Sequence, residues 1–470
     1  MLRINRWLAT AGLWALLSGP PLTAQVRPLL LPTRGLDPIF WDSFISCVDA
    51  IERFVGPRLP EWVVRTFPFC YTSRRPLYDQ DGRPRLDGEG RQATEPSHQS
   101  GRIFLPPAWR AGQGAPLPLV VYSHATTLAK SQVPSTFQGH EWVFGAAAAA
   151  YFGFAVVMPD QPGMGGDGGT VHPYLHRASL AHAVVDALGP AREALATDPY
   201  ATANGYGWDG RVFLVGYSEG GFAALAAARE MEERKAEFGG EAEFQLAGTA
   251  CLAAPVDLSG AVRRQVADRD LSFQHPFFLP YLVAAWHAIY GPLMDPHEVL
   301  HPRLLETRND GSILQWLDGT MDGVAADGAI TRRMGARPGQ VVLRSLLNPV
   351  WAERNLDPPG FEASPLKRLL EENDVAEGWA PSRPILFAQS LDDREVPPII
   401  ARNAMASLGE AARRAGRDPA RLLRFQALAR EGSGIGHVEG VALALPVAFE
   451  WIGRGAPPGS GAPPSAIGRR

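Results

Sequence analysis

Residues 211–221 read RVFLVGYSEGG, and the stretch GFAALAAAREMEERKAEF (221–238) continues directly from them. The apolar run before the first glycine is typical of a buried strand, and the second stretch has the apolar spacing of a helix. Between them, Gly216, Ser218 and Gly220 form the pattern G-x-S-x-G, which in a strand–turn–helix context indicates a nucleophile elbow. The turn is tight and neighbouring backbone passes close to the serine, so both glycine positions need small residues. The positive end of the following helix faces developing negative charge, which makes Ser218 the candidate nucleophile.

Further short apolar runs lie on both sides of this stretch, and Gly, Pro or Asp bounds each of them, as expected for strands buried on both faces. These runs are LPLVVYSH (117–124), FAVVMPD (154–160), LAGTACLAAP (246–255) and PILFAQSL (384–391). Helical patterns such as residues 178–195 lie between them. The alternation predicts an α/β fold with a mostly parallel sheet flanked by helices.

Two long segments lack this alternation. Residues 26–115 are predicted to be irregular, with a polar loop in their second half. Residues 256–380 contain apolar helical pieces but no clear strand. Because a structureless loop of that length is rare inside a compact domain, we expect a helical insertion that stands over one edge of the sheet.

A serine nucleophile needs a base, and the base needs an acid to orient it. After a nucleophile elbow, the acid and then the histidine follow in chain order. The strand-like run at 384–391 is followed by Asp392 and Asp393, and either carboxylate fits the position of the acid. His437 is the only histidine downstream of them, and it follows a Gly-x-Gly segment, so it is the candidate base.

An acyl-transfer site also needs donors for the oxyanion. The backbone N–H of Glu219, directly after the nucleophile, is the expected first donor. The second donor is expected in the loop after the strand at 117–124, and Thr126 is the first choice there. Side-chain identity is a weak guide because the donor is a backbone group.

These motifs resemble the α/β-hydrolase superfamily, and within it the secretory-lipase (lipase A-like) group, over residues 117–452. VVYSHATT is similar to the family's strand-end turn, and PDQPGMGGDGGTVHPY (159–174) to a further family segment. LDDREVP resembles the family's Asp-x-x-Val-Pro acid loop, which selects Asp393 over Asp392. The resemblance places a helical cap between the sixth and seventh strands and implies carboxylic ester hydrolysis, with lipids among the candidate substrates. The chain departs from the family pattern at Ala125 and Gln161, and Ala125 leaves the second oxyanion donor open.

Three functions stay open from the residues alone. The first is a serine esterase or lipase that acts through an acyl-enzyme on a small-molecule or lipid ester, with transient contact between the cap and a lipid interface. The second is a serine peptidase of the same fold, in which Glu219 binds a substrate amine. The third is a binding or scaffold protein with an inactive site.

Two other motifs point to different chemistry, and their context argues against it. His297-Glu298-Val299-Leu300-His301 matches H-E-x-x-H, but the flanking Pro296 and Pro302 leave barely one helical turn for two metal ligands. Residues 163–168 match G-x-G-x-x-G, but no helix begins at these glycines. We therefore expect neither a metal nor a cofactor.

The N-terminal residues MLRINRWLATAGLWALLSGPPLTAQ have a basic start, an apolar run of eleven residues and a small-residue end. This layout predicts a signal peptide and a secreted or periplasmic protein with no transmembrane anchor. In an oxidising compartment, Cys47 and Cys70 are candidates for one disulfide, and Cys251 is better explained as a core residue. The formal net charge of −4 excludes a global basic field for nucleic acid.

The 470 residues are thus predicted to contain one catalytic domain with additions rather than three modules. The expected divisions are a signal peptide (1–24), an N-terminal extension (25–115), the catalytic domain (116–255 and 381–454), the cap (256–380) and a disordered tail (455–470).

Overall fold

The apolar runs form the centre of an eight-stranded sheet in a computed structural model of the chain, which describes residues 64–107, 116–138, 141–234, 244–308, 311–317 and 319–456. The strands in these residues are β1 (Arg65–Pro76), β2 (Thr94–Leu105), β3 (Pro116–Ser123), β4 (Ala155–Pro159), β5 (Gly207–Tyr217), β6 (Gln245–Leu252), β7 (Ser272–Phe273), β8 (Val341–Val342), β9 (Ile385–Ser390) and β10 (Leu423–Ala429). The order across the sheet is β1-β2-β4-β3-β5-β6-β9-β10. Strand β2 is antiparallel to β1 and β4, and the remaining pairs are parallel. The predicted α/β class, a mostly parallel sheet flanked by helices, is confirmed.

The α-helices of the described residues flank this sheet or lie between β6 and β9. They are α1 (Trp142–Phe152), α2 (Arg177–Asp186), α3 (Leu188–Thr197), α4 (Pro199–Ala203), α5 (Glu219–Glu233), α6 (Arg263–Ala267), α7 (Phe278–Tyr290), α8 (Pro296–Val299), α9 (Pro302–Leu305), α10 (Ile313–Trp316), α11 (Gly323–Met334), α12 (Pro349–Asn355), α13 (Gly360–Ala363), α14 (Pro365–Asn373), α15 (Pro398–Arg414), α16 (Pro419–Leu422) and α17 (His437–Gly453).

Central strands bury both faces, which explains their continuous apolar sequences. In β3, Leu119 and Val121 join the core that contains α2 and α5, while Val120 and Tyr122 join the core that contains α1 and α17. Successive side chains of a strand point to opposite faces, so a strand with helices on both sides needs apolar residues at every position.

The N-terminal part of the sheet corrects a prediction. Residues 65–76 and 94–105 are not irregular but pair as the antiparallel strands β1 and β2 over their whole length. Strand β1 is an edge strand with one face buried, so its sequence RTFPFCYTSRRP alternates between Phe69, Tyr71 and Ser73 inside and exposed residues between them. This period of two is easily missed because polar residues and two prolines interrupt it.

The predicted helix at 178–195 is also interrupted. Helix α2 ends at Asp186 and α3 begins at Leu188, with Ala187 between them. Pro190 has no N–H to donate to the carbonyl of Asp186, and its ring crowds that carbonyl, so one continuous helix is unfavourable.

Residues 256–380, called the cap segment here, lie between the sixth and seventh strands of the sheet in chain order and contain helices α6–α14. The segment also contains the antiparallel strands β7 and β8, each two residues long, which the sequence did not indicate. Its two ends are joined by Asp374, whose Oδ1 accepts hydrogen bonds from the N–H groups of Leu258 (2.5 Å) and Ser259 (3.1 Å). Burial raises the pKa of Asp374 to about 6.

Several predictions lie wholly or partly outside the described residues. These are the signal peptide, the disulfide partner Cys47 and the tail beyond residue 456, so they stay predictions, as do the domain boundaries. Cys251 is buried, as expected for a core residue. No helix within the described ranges is long and apolar enough to cross a membrane.

Candidate active site

Ser218 occupies the turn between β5 and α5, with a φ of 55° and a ψ of −123°. This conformation is unfavourable for a residue with a Cβ atom and is found where surrounding structure enforces it. A Cβ atom on Gly216 would lie 2.0 Å from the carbonyl oxygen of Gly220, and one on Gly220 would lie 2.0 Å from the carbonyl oxygen of Ser123. Close backbone approach, rather than left-handed φ, therefore requires both glycines of the G-x-S-x-G pattern.

The structure brings Ser218, His437 and Asp393 into one hydrogen-bonded chain. The Ser218 hydroxyl lies 2.9 Å from His437 Nε2, and His437 Nδ1 lies 2.7 Å from Asp393 Oδ2. The Nδ1–H donates to the carboxylate, which leaves Nε2 to accept from the serine hydroxyl. The other oxygen, Asp393 Oδ1, accepts from the N–H groups of Glu395 (3.1 Å) and Val396 (2.8 Å). The acid is thus held by its own loop, and all three side chains are buried.

The competing carboxylate, Asp392, does not contact the imidazole. Its Oδ1 accepts from the N–H of Gly432 (2.7 Å), and its Oδ2 accepts from the N–H of Gly434 (2.7 Å) and the hydroxyl of Ser433 (2.9 Å). The two backbone hydrogen bonds are the main reason that the pKa of Asp392 lies below its usual value. Asp392 therefore holds the loop that precedes His437, a role that the sequence did not indicate.

The electrostatic surroundings favour the protonated form of His437. Burial disfavours its charge, but the carboxylate of Asp393, with smaller contributions from Glu395 and Glu439, outweighs burial and raises the pKa of His437. Burial also raises the pKa of Glu395, which lies in the same acid loop. The imidazolium that forms when His437 accepts a proton is thus stabilised within the site.

The two candidate oxyanion donors lie on the elements where the sequence predicts them. Glu219 is the first residue of α5, so its backbone N–H has no partner within the helix. Thr126 lies in the loop after β3. The neighbouring N–H of Ala125 is already engaged, since it donates to Glu141 Oε1 (2.9 Å) and Oε2 (3.0 Å). This leaves Thr126 as the better candidate of the two loop positions.

Two polar side chains support this loop, a role that the sequence indicates for neither of them. Glu141 also accepts a hydrogen bond from the hydroxyl of Tyr122, and burial raises its pKa. Gln161 donates from Nε2 to the carbonyl oxygen of His124 at 2.8 Å. Neither residue carries a local signal, because each meets the loop only through the tertiary fold. The departure from the family pattern at Gln161 thus has a structural use.

Glu219 is involved in a second contact on its side chain. Its Oε1 lies 2.5 Å from Nε2 of His172, and both side chains are 1% exposed. The opposite ring nitrogen, Nδ1 of His172, lies 2.6 Å from the carbonyl oxygen of Pro162. The sequence places His172 in the segment 159–174 but assigns it no role.

The cap segment contacts the acid loop and the elbow region. The backbone N–H of His275 donates to Glu395 Oε1 at 3.1 Å, and Gln265 Nε2 donates to the carbonyl oxygen of Arg394 at 3.1 Å. The ring of Tyr281 in α7 stacks on the ring of His172 with 5.8 Å between centroids. The cap segment therefore packs against the acid loop and against His172.

The two motifs that point to other chemistry adopt different geometry. Helix α8 ends at Val299, and His301 instead caps α9 by accepting from the N–H of Arg303 at 3.2 Å, so His297 and His301 do not share a helix face. Within the described ranges there is no group of three or more His, Cys, Asp or Glu residues that could hold a metal ion. The glycines at 163–168 lead into a short 3₁₀ turn, and α2 begins only at Arg177, so they do not open a dinucleotide-binding helix.

No family model matches the sequence, and no curated protein matches it. Solved structures are similar over most of the chain. The ligand-bound rice cell wall degrading esterase LipA from Xanthomonas oryzae is 23% identical with a TM-score of 0.61, covering 86% of this chain and 92% of that one. A Legionella pneumophila protein is 18% identical with a TM-score of 0.62, covering 88% and 95%. Lipase A from Candida antarctica in its closed state is 14% identical with a TM-score of 0.51, covering 88% and 85%.

Structural similarities at such low sequence identity establish the fold but do not establish the activity. With the strand order described above, they give the chain the α/β-hydrolase fold. The predicted resemblance to lipase A-like proteins is confirmed at that level.

Proposed function

We propose that this protein is a carboxylic ester hydrolase that acts through Ser218, His437 and Asp393. The observation that carries the proposal is the continuous hydrogen-bonded chain from the serine hydroxyl through the imidazole to the buried carboxylate. The esterase and lipase among the similar structures favour an ester over other acyl substrates.

In the proposed mechanism, Ser218 Oγ attacks the ester carbonyl carbon while its proton moves to His437 Nε2. The backbone N–H groups of Glu219 and Thr126 stabilise the oxyanion of the tetrahedral intermediate. As the C–O bond to the alcohol breaks, His437 returns its proton to the leaving alkoxide, and an acyl-enzyme remains. Water then gives a proton to His437 and attacks the acyl carbon, and the carboxylic acid leaves as Ser218 regains its proton. Asp393 holds the imidazole in the required tautomer throughout.

The alternative peptidase activity receives less support. It requires Glu219 to bind a substrate amine, but one carboxylate oxygen is engaged by His172 and the side chain is buried. An ester has no amine to bind, so this arrangement is compatible with ester hydrolysis without any change.

The test uses a fluorophosphonate probe and p-nitrophenyl esters of several acyl lengths, with a peptide panel beside them. We expect labelling of Ser218 and turnover of esters, and we expect Ser218→Ala to lose both, with kcat lower by several orders of magnitude. Ser345→Ala, an exposed serine in the cap segment, is the matched control and should keep both. Ester turnover that persists in Ser218→Ala would refute the proposal.

We also propose export and contact with lipid through the cap segment. Export is supported by the N-terminal sequence pattern and predicts a mature protein that begins at Gln25, which N-terminal sequencing checks. Contact with lipid predicts a rise in rate when an ester substrate passes its critical micelle concentration. A rate that saturates below that concentration would restrict the substrate to dissolved esters.

A further inference from the structure

His172 and Glu219 form a buried hydrogen-bonded pair, and the contacts of the imidazole show how many protons the pair holds. The carbonyl oxygen of Pro162 only accepts hydrogen bonds, so Nδ1 of His172, 2.6 Å away, carries a proton. The contact of 2.5 Å between Nε2 and Glu219 Oε1 needs a second proton between the two atoms. Whether that proton resides on nitrogen or on oxygen, the pair as a whole has zero net charge.

The position of the pair gives this neutrality a consequence. Glu219 is the residue whose backbone N–H is the proposed first oxyanion donor, and its carboxyl group is buried beside the same turn. An unpaired carboxylate in a low-dielectric site opposes the build-up of negative charge on a neighbouring oxyanion. Neutralising Glu219 removes this opposition.

Among the described residues, the side chains found in contact with the pair carry no positive charge. Glu219 Oε2 is buried and has no hydrogen-bond partner among the described residues. The rings of Tyr281 and Tyr174 lie against His172, and burial raises the pKa of both phenols, so they are neutral. Glu141 interacts electrostatically with Glu219, and because Glu141 is itself acidic it brings no positive charge.

We propose that His172 is a positioning residue that holds a proton against Glu219 and so keeps the oxyanion hole free of an opposing charge. The inference rests on the proposed ester hydrolysis. His172 does not touch the substrate in this role, since it acts through Glu219. The stacking of Tyr281 on its ring also connects the cap segment to this pair.

The experiment compares His172→Gln, Glu219→Gln and the double variant in ester hydrolysis. His172→Gln leaves an unneutralised carboxylate and should lower kcat by about 10- to 100-fold, with little change in KM. The double variant has no carboxylate to neutralise, so it should recover most of this loss despite carrying two substitutions. The affinity for an alkyl boronic acid, which forms an anionic tetrahedral adduct with the serine, should follow the same order.

The double variant distinguishes charge from packing, because it removes the opposing carboxylate but does not restore the lost imidazole. If His172→Gln does not fold, Glu219→Asp moves the carboxylate away from His172 and should lower kcat in the same way, with little change in KM. Losses that add in the double variant would overturn the inference.

Failure of the proposed function gives a different result. If wild type neither turns over esters nor reacts with the fluorophosphonate, both proposals fall. If wild type does both and the double variant is no better than His172→Gln, only the role of His172 falls.

Discussion

The strained backbone of Ser218 predicts an unusual response to glycine. The comparison is between Ser218→Ala and Ser218→Gly, which both remove the hydroxyl and its hydrogen bond to His437. Alanine keeps a Cβ atom at φ 55° and ψ −123°, and glycine does not. The difference in unfolding free energy between the two variants therefore isolates the backbone at this position.

The expected difference follows from three contributions. Relief of strain in this region stabilises the glycine variant by about 2 kcal/mol. The greater freedom of glycine in the unfolded chain costs about 0.7 kcal/mol, and loss of a methyl group that is buried in the folded state costs about 0.8 kcal/mol. Because Ser218 is 6% exposed, the full methyl contribution applies. Ser218→Gly should thus exceed Ser218→Ala in stability by about 0.5 kcal/mol.

The matched control is Ala223→Gly in the Ser218→Ala background. Ala223 is buried in the same helix, α5, and has no positive φ, so glycine there should cost about 1.5 kcal/mol. Unfolding midpoints in urea, followed by tryptophan fluorescence, give both differences. A Ser218→Gly variant that falls below Ser218→Ala by as much as the control would refute the assignment of strain to the elbow.

Three further predictions concern charge. Asp393→Asn should lower kcat for an ester by about 10³- to 10⁴-fold, because the imidazole loses the partner that sets its tautomer. Asp392→Asn only loosens the loop before His437 and should lower kcat by less than about tenfold. Equal losses of kcat in steady-state kinetics would contradict this prediction. In the proposed mechanism neutral His437 is the base, and its pKa is raised, so kcat/KM should be constant at high pH and fall as the pH decreases through that pKa. A rise in kcat/KM on acidification would exclude His437 as the base. The pKa of Asp374 is raised from 3.8 to about 6, so its contribution to stability is complete below 3.8 and is lost as pH rises through about 6. Asp374→Asn should accordingly weaken the pH dependence of the urea midpoint between pH 4 and 6, and an unchanged dependence would contradict the shift.

The sequence predicts the centre of the fold well because burial on both faces leaves a continuous local signal. The ends of β3, β4, β5, β6 and β9 fall within a few residues of the ends of the apolar runs that predicted these strands. The edge is harder to predict. Strand β1 has one buried face and pairs along its length with β2, and the long-range pairing rather than the local sequence decides its conformation.

The residues of the candidate site also differ in how well the sequence predicts them. Ser218 has a local signal in its glycines, and chain order singles out His437. Asp393 and Asp392 cannot be separated by spacing, and the resemblance to a family separated them. The pairing of His172 with Glu219 spans 47 residues and depends on how two loops meet, so no pattern within either segment predicts it.

The nucleophile and its base lie 219 residues apart in the chain, and His437 opens the last helix of the described residues. At about 5–20 residues per second, a ribosome needs about 10–40 s to extend the chain from one to the other. During that interval the nascent chain carries a serine without a base, and the strands β6, β9 and β10 of the sheet are still being synthesised. Under the proposed mechanism, a chain that stops short of His437 has the nucleophile but no base, so it should not hydrolyse esters.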